Sequence, residues 1–394
     1  MSKTIENLRT WAQGHQKHVY LGVIFFLGVC SIIATAPIPD GDNGITITEK
    51  FFLAYAESST AKIRARWSND GITWQDGNFP NLITSSPGGN KRPGIGAATN
   101  DTGSIYLTVF NKSNGQMGFP YGLGPATWDT THNEAYAGYS APAVAYVGNN
   151  HWMVVTQTAG SMSVGIYNDN ATLVSWSPLG GWAAGADARV RDVEGRATVT
   201  VKDGKVLIAW RWYPGSGDVF LLLTSTADIP PASYDTWAEI QSYWGNEDIW
   251  TDIHEIPLPF STEFAGGIES APDAAHDQNN FYLAFIREES SVGGGLHSWR
   301  PVVYSSPDGI NWSFHSSFVL DVVINSFINI AAKSDGTMIA AAINKAASST
   351  SARISASRFN GSNWLGLTDS EEQNMFGASR ASGIQFALIG VSGT

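Results

Sequence analysis

One cysteine stands in 394 residues, and it is Cys30, inside a long apolar run near the N-terminus. The body of the chain therefore has no disulfide and no thiol, which excludes a disulfide-stapled scaffold, a cysteine nucleophile and a zinc–thiolate centre. Charge is scarce at 15% of residues, and basic charge is the scarcer kind, with 23 Lys and Arg against 35 Asp and Glu. The first 36 residues hold Lys3, Arg9 and Lys17 against Glu6, so the rest of the chain carries 20 basic against 34 acidic residues, a net charge of −14. A surface of that sign repels nucleic acid. The eight His show no metal-ligand spacing, and the H-E-x-x-H, G-x-S-x-G and phosphate-loop patterns are missing, so no metal and no cofactor is expected.

Present in quantity are 41 Gly, 15 Trp and 43% hydrophobic residues. Short strands joined by tight turns around large aromatic side chains have this composition, so the class expected is all-β. From Val19 to Ala36 the chain is apolar and uncharged, and 18 residues at about 1.5 Å each make a helix of about 27 Å, enough to cross a bilayer core. Lys3, Arg9 and Lys17 precede this segment, while Asp40 and Asp42 come after it. The positive-inside rule then directs the N-terminus to the cytoplasm and the rest to the extracytoplasmic side, periplasmic or extracellular. Ala34-Thr35-Ala36 offers small residues to a signal peptidase, but Pro37 disfavours cleavage there. Residues 1–36 are expected to be a cytoplasmic n-region with a transmembrane anchor or uncleaved signal, and 37–394 a β-propeller.

That expectation rests on repeats. Ser68-Asn69-Asp70-Gly71-Ile72-Thr73-Trp74 and Ser306-Pro307-Asp308-Gly309-Ile310-Asn311-Trp312 share S-x-D-G-x-x-W at identical spacing. Looser versions end at Trp128, Trp176, Trp237 and Trp364, so the six Trp are separated by 54, 48, 61, 75 and 52 residues, the span of a four-stranded blade with its loops. Strand pairs accompany them. Ala197–Val201 and Val206–Arg211 flank an Asp203-Gly204 hairpin turn, and Ile45–Thr48 with Phe51–Tyr55 is the pair expected for the first blade. The apolar run Ile384–Val391 has no blade of its own and is expected to close the ring on that blade. The insertion from Trp237 to Glu269 is expected to lie as a loop over one face.

On these residues the chain resembles the sialidase (neuraminidase) superfamily, whose propeller blades carry Asp-box (BNR) repeats. The resemblance covers about residues 40–394 as an architecture, although both boxes lack the usual spacer between Asp and Gly. The chemistry of the box is that of a turn: Ser68 and Asp70, like Ser306 and Asp308, can bond nearby backbone groups, Gly71 and Gly309 take φ > 0, and Trp74 and Trp312 pack beneath. These residues are expected to be structural, on the face opposite the family's site.

The resemblance implies a site at Glu194 and Arg211, at the outer ends of the hairpin around Asp203-Gly204. There the family has a glutamate that activates a nucleophile and an arginine that binds a sugar carboxylate. Glu269 and Arg287 repeat the arrangement, and Arg92 before Pro93 resembles the family's Arg-x-Pro entry. Arginine suits a carboxylate because its guanidinium makes two parallel bonds. The family's tyrosine nucleophile and aspartate acid have no counterpart in the expected positions: Phe327–Asn344 contains no Tyr, and neither Glu57–Thr60 nor Asn111–Met117 contains Asp. Tyr213, Tyr304, Asp129, Asp187 and Asp192 are the remaining candidates. Two functions are therefore expected. One is a membrane-anchored, non-catalytic binding or assembly subunit whose partner is an extracytoplasmic or membrane protein or a glycan. The other is a sialidase-like glycoside hydrolase acting on acidic sugars.

Overall fold

Small residues cluster in a series of short segments: Gly96-Ala97-Ala98, Ala143 and Ala145, Ala197, Ala274-Ala275 and Ala331-Ala332. Strands with small side chains can converge where a ring of blades leaves least room. In the computed structural model these segments belong to or adjoin the innermost strands of a six-bladed β-propeller of four-stranded antiparallel sheets. The structure describes residues 49–391 apart from 57–61, 80–94, 112–116, 125–127, 130–132, 135–138, 159–160, 169–172, 179–188, 190–195, 213–220, 231–233, 235, 259–269, 290–297, 321–327, 345–352 and 378–385.

Blade 1 contains β1 (Lys50–Ala56), β2 (Ile63–Ser68) and β3 (Gln75–Asp76), and its innermost strand is β26 (Phe386–Val391) from the far end of the chain. Blade 2 starts with β4 (Ile95–Thr99) and β5 (Ile105–Asn111). Its third strand is split at Phe119-Pro120 into β6 (Met117–Gly118) and β7 (Tyr121–Leu123), because proline cannot donate to a ladder. Its outer edge is likewise two pieces, β8 (Trp128–Asp129) and β9 (Asn133–Glu134). Blade 3 is β10 (Tyr139–Tyr146) to β13 (Leu173–Pro178), with β11 (His151–Thr158) and β12 (Ser161–Asn168) between. Blade 4 is β14 (Thr198–Lys202), β15 (Lys205–Trp212), β16 (Leu221–Asp228) and β17 (His254–Glu255). Blade 5 is β18 (Asp273–His276), β19 (Phe281–Glu289), β20 (Ser298–Ser306) and β21 (Ser313–Ser317). Blade 6 is β22 (Ile328–Ala332), β23 (Met338–Asn344), β24 (Arg353–Phe359) and β25 (Trp364–Gly366).

The innermost strands β26, β4, β10, β14, β18 and β22 each pack on the next, and β22 packs on β26, so the ring closes. The closing contact is the ladder from Lys50↔Val391 to Tyr55↔Phe386, as the sequence leads one to expect of the terminal apolar run. The expected partner Ile45–Thr48 lies outside the described residues. Alternation then divides the core into six apolar layers, one in each cleft between successive blades. In blade 4, Val206, Ile208 and Trp210 face blade 3, whereas Leu207 and Ala209 face blade 5.

Two expectations need correction. Trp237 does not end a looser version of the turn repeat: it opens helix α1 (Trp237–Trp244), and the fourth strand of blade 4 is β17. The described part of the insertion it begins, residues 237–258, is not a loop over a face. Thr236 and Glu239 form a capping box, and Ile240 and Trp244 of the helix, with Trp250 and Ile253 beyond it, sink into the layer between blades 3 and 4. A second capped helix, α2 (Asp369–Phe376), buries Met375 and Phe376 between blades 6 and 1. Its Asn374 side chain accepts from the Trp74 amide at 2.6 Å, and its backbone carbonyl accepts from Arg66, which ties the ring at its closure. The anchor expected in residues 1–36 lies outside the described residues. Among those described, no helix is long and apolar enough to cross a membrane.

Candidate functional site

The two S-x-D-G-x-x-W segments form closely similar turns between the third and fourth strands of blades 1 and 5. Ser68 Oγ donates to Asp70 at 2.9 Å, and Asp70 Oδ1 accepts the amides of Ile72 and Thr73, both at 2.8 Å. Ser306 and Asp308 repeat this with Ile310 and Asn311 at 2.9 and 2.8 Å. Gly71 and Gly309 have φ of 76° and 77°, and a Cβ on either would strike the preceding blade, at Ile339 or Thr226. Trp74 and Trp312 are buried and donate from Nε1 to the glycine carbonyls at 3.2 and 3.1 Å. Partial burial raises the Asp308 carboxyl, but the amides of Asn311 and Ile310, the Asn311 amide group and the Ser306 hydroxyl outweigh it and hold the group well below its ordinary value. These carboxylates are consumed in holding turns.

A lysine from the preceding blade latches each turn. Lys202, at the end of β14, donates to the Pro307 carbonyl at 3.4 Å and to Asp203 at 2.7 Å, with its ammonium 5.5 Å above the Phe281 ring. Lys333, just past β22, treats Asn69 and Asp335 in the same way, both at 3.4 Å, and sits 5.6 Å above Phe51. The ends of the innermost strands and the two turns therefore share one face. Asp203 and Gly204 have φ of 51° and 71°, the left-handed pair of a type I′ hairpin, so β15 returns directly and carries Arg211 to the other face.

On that other face, Arg211 and Arg287 are each almost completely buried, at 3% and 2% exposure. Arg211 follows Leu207 and Ala209 along β15, and Arg287 follows Leu283 and Phe285 along β19. These apolar residues pack together, so the period of two directs both arginines to the cleft between blades 4 and 5. Arg287 Nη1 lies 3.5 Å from the Tyr304 hydroxyl. Burial raises the Tyr304 phenol above its ordinary value, which keeps it protonated, and its ring packs with Phe285 and Phe314. Asp129 lies on β8, the outer edge of blade 2. Arg92, Glu194, Glu269, Tyr213, Asp187 and Asp192 lie outside the described residues.

The axis carries a cavity of about 120 Å³, lined by innermost strands of blades 2 to 6. Its polar lining comes from Thr99, Asn100 and Asp101 of blade 2 as well as from blades 4 and 5. Asp273 Oδ1 accepts from Thr198 Oγ1 at 3.2 Å and pairs with Arg196 Nη2 at 3.4 Å, while Oδ2 accepts the Ile330 amide of blade 6 at 3.0 Å. Burial raises the Asp273 carboxyl, partly offset by Arg196 and these hydrogen bonds. Nearer the latch face, Thr200 Oγ1 and His276 Nδ1 are 2.8 Å apart. Among the described residues, no group of His, Cys, Asp and Glu is arranged to hold a metal ion.

No protein family's model and no curated protein matches this chain. Solved propellers do resemble it. An endo-arabinase from Bacteroides thetaiotaomicron is 12% identical over 73% of this chain and 99% of its own, at a TM-score of 0.42. A fucose-specific lectin from Aleuria aurantia is 11% identical over 81% and 94%, at 0.46. An ulvan lyase of polysaccharide lyase family PL25 is 10% identical over 82% of each chain, at 0.42. At such scores the likeness carries nothing about the site.

Arg196, Asp273 and the helices α1 and α2 are what sequence reasoning missed. Both helices were legible as T-x-x-E capping boxes, Thr236 to Glu239 and Thr368 to Glu371. Arg196 and Asp273 stand two and four positions after the expected Glu194 and Glu269 in the sequence, but only the ring brings blades 4 and 5 together.

Proposed function

We propose that this chain is a membrane-anchored propeller of the Asp-box, sialidase-like kind, which works on the extracytoplasmic side as a non-catalytic binding or assembly subunit with a glycan as its partner. The observation that carries the reading is the Arg287–Tyr304 contact. A glycosidase of this kind needs arginine donors held open for a sugar carboxylate and an ionisable tyrosine. Here the guanidinium bonds a phenol that is itself 2% exposed and held in its neutral form. That arrangement supports packing rather than turnover.

A second reading, a sialidase-like hydrolase for acidic sugars, draws support from the direction of Arg211 and Arg287 into one cleft, with Glu194, Glu269 and Arg92 as its further residues. Assay of the full-length protein separates the two. A fluorogenic sialoside is expected to remain intact, while a glycan array retains the protein. Turnover that disappears in Glu194→Gln would replace the binding reading with the hydrolase.

A further inference from the structure

We propose that Asn360, in the turn between the third and fourth strands of blade 6, is a site of spontaneous covalent modification: the Gly361 amide nitrogen displaces ammonia from its side chain, and water then leaves a carboxylate there. Neither a partner nor an enzyme is needed, so the site stands apart from the glycan reading.

Arg358-Phe359-Asn360-Gly361-Ser362-Asn363-Trp364 occupies in blade 6 the place that S-x-D-G-x-x-W takes in blades 1 and 5. The geometry is kept: Asn360 Oδ1 accepts the amides of Ser362 and Asn363 at 3.0 and 2.9 Å, and Gly361 has φ of 90°. The guards are not. In the sister turns Ser68 and Ser306 accept the Gly71 and Gly309 amides at 2.8 and 2.9 Å, whereas position 358 holds an arginine, which has no hydroxyl to offer. Lys202 and Lys333 latch those turns from the preceding blade. Just past β18, where a lysine would latch the turn of blade 6, stands Asp277, which accepts the Tyr282 hydroxyl at 2.8 Å instead. A Cβ on Gly71 or Gly309 would strike the preceding blade, but one on Gly361 would meet nothing within 4 Å. Asn360 to Asn363 are all exposed.

The chemistry follows from that openness. After giving its proton to hydroxide, the Gly361 nitrogen attacks Asn360 Cγ. The new N–Cγ bond closes a five-membered succinimide, the Cγ–Nδ2 bond breaks, and Nδ2 leaves as ammonia with a proton taken from water. Water then opens the ring at either carbonyl, giving aspartate or isoaspartate. Two features of the turn favour ring closure. Gly361 has no Cβ to hinder it, and the Ser362 and Asn363 amides point at the oxygen on which negative charge develops as Cγ becomes tetrahedral. Aspartate at this position would accept the same two amides, and its charge would strengthen both bonds and complete a third carboxylate turn. Isoaspartate would instead lengthen the backbone within the turn. Among the described residues this is the one Asn-Gly pair, since Asn43-Gly44 and Asn114-Gly115 lie outside them.

The test is a time course of the purified full-length protein in mildly alkaline buffer, with circular dichroism at each point to show that it stays folded. Samples are digested at acidic pH, and mass spectrometry of the peptide carrying Asn360 reads the gain in mass from amide to acid, with electron-transfer fragmentation to separate aspartate from isoaspartate. Asn360 is expected to convert while the chain is folded. The deciding variant is Asp308→Asn, which places an Asn-Gly pair in a turn that keeps both Ser306 and Lys202. That pair is expected to convert several-fold more slowly than Asn360. Should this variant fail to fold, Arg358→Ser takes its place: it supplies the missing hydroxyl and is expected to slow Asn360 several-fold. An Asn360 that stays intact, or that converts only in urea, overturns the site. A guarded pair that converts as fast as Asn360, or an Asn360 unslowed by Arg358→Ser, overturns the role given to the turn.

Discussion

The tryptophans of the two S-x-D-G-x-x-W turns depend on residues that are nearly adjacent to them. Trp312 is 7% exposed and bonded to a carbonyl three residues away, while its ring fills the layer between blades 4 and 5. Replacing Trp74 or Trp312 by Ala is expected to cost about 3–5 kcal/mol, the range for a buried aromatic, read as a lower urea midpoint at unchanged slope. An unaltered midpoint would mean the turn is not part of the core. Histidine contributes one part of the response to acid. Burial pulls the His276 imidazole down from 6.5 to about 4, and that of His315 downward as well. Between these values the unfolded chain binds a proton that native His276 refuses, so the unfolded state holds more protons and stability falls as pH drops from about 6.5 to 4. The carboxyls of Asp70 and Asp308, held low in the fold, add stability that is lost only below their ordinary 3.8. The buried Asp273 carboxyl, raised in the fold, acts in the opposite sense by taking up a proton as pH falls, so the His276 part is read by difference: from pH 6.5 to 4 the urea midpoint of the unaltered protein should fall relative to that of His276→Gln.

At the scale of the element, closure depends on six residues. β26 contributes a complete ladder to β1 and packs against both β22 and β4, so it occupies a place that no other described strand can take. Without it β1 becomes an open edge and the layer between blades 6 and 1 loses one wall. Truncation after Gly383 is expected to broaden thermal unfolding and lower its midpoint by several degrees, as followed by circular dichroism. A synthetic peptide of residues 384–394 should restore the midpoint in trans. A truncated chain that melts like the full one would mean the seam is held elsewhere, with α2 as the first suspect. The helices teach a different lesson. Trp237 resembled the other landmarks because any Trp about 60 residues after the last fits a blade count. The Thr236–Glu239 capping box beside it was the stronger local signal, since it satisfies two backbone donors that a strand would have spent on a ladder.

For the whole molecule, the proposed anchor sets how the propeller meets its partner. The native protein is expected to keep residues 1–36 and to fractionate with membranes, and intact-mass measurement checks this directly. A mature N-terminus near Thr35 or Pro37 would instead make it a secreted protein, leaving the propeller and its channel unchanged. The blade count, the turn chemistry at Asp70, Asp203 and Asp308, and the closing role of the last apolar run were all written in the sequence. Each is a local matter: a period of two, a left-handed turn, or a run of apolar residues without a partner nearby. Convergence was not. Arg211 and Arg287 are 76 positions apart, and Arg196 and Asp273 are 77 apart. Nothing local states that the first two share a cleft or that the second two share a charge. That outcome was decided when alternation along each strand met the angular spacing of six blades, because burial of one apolar face fixes where every polar neighbour on that strand must point.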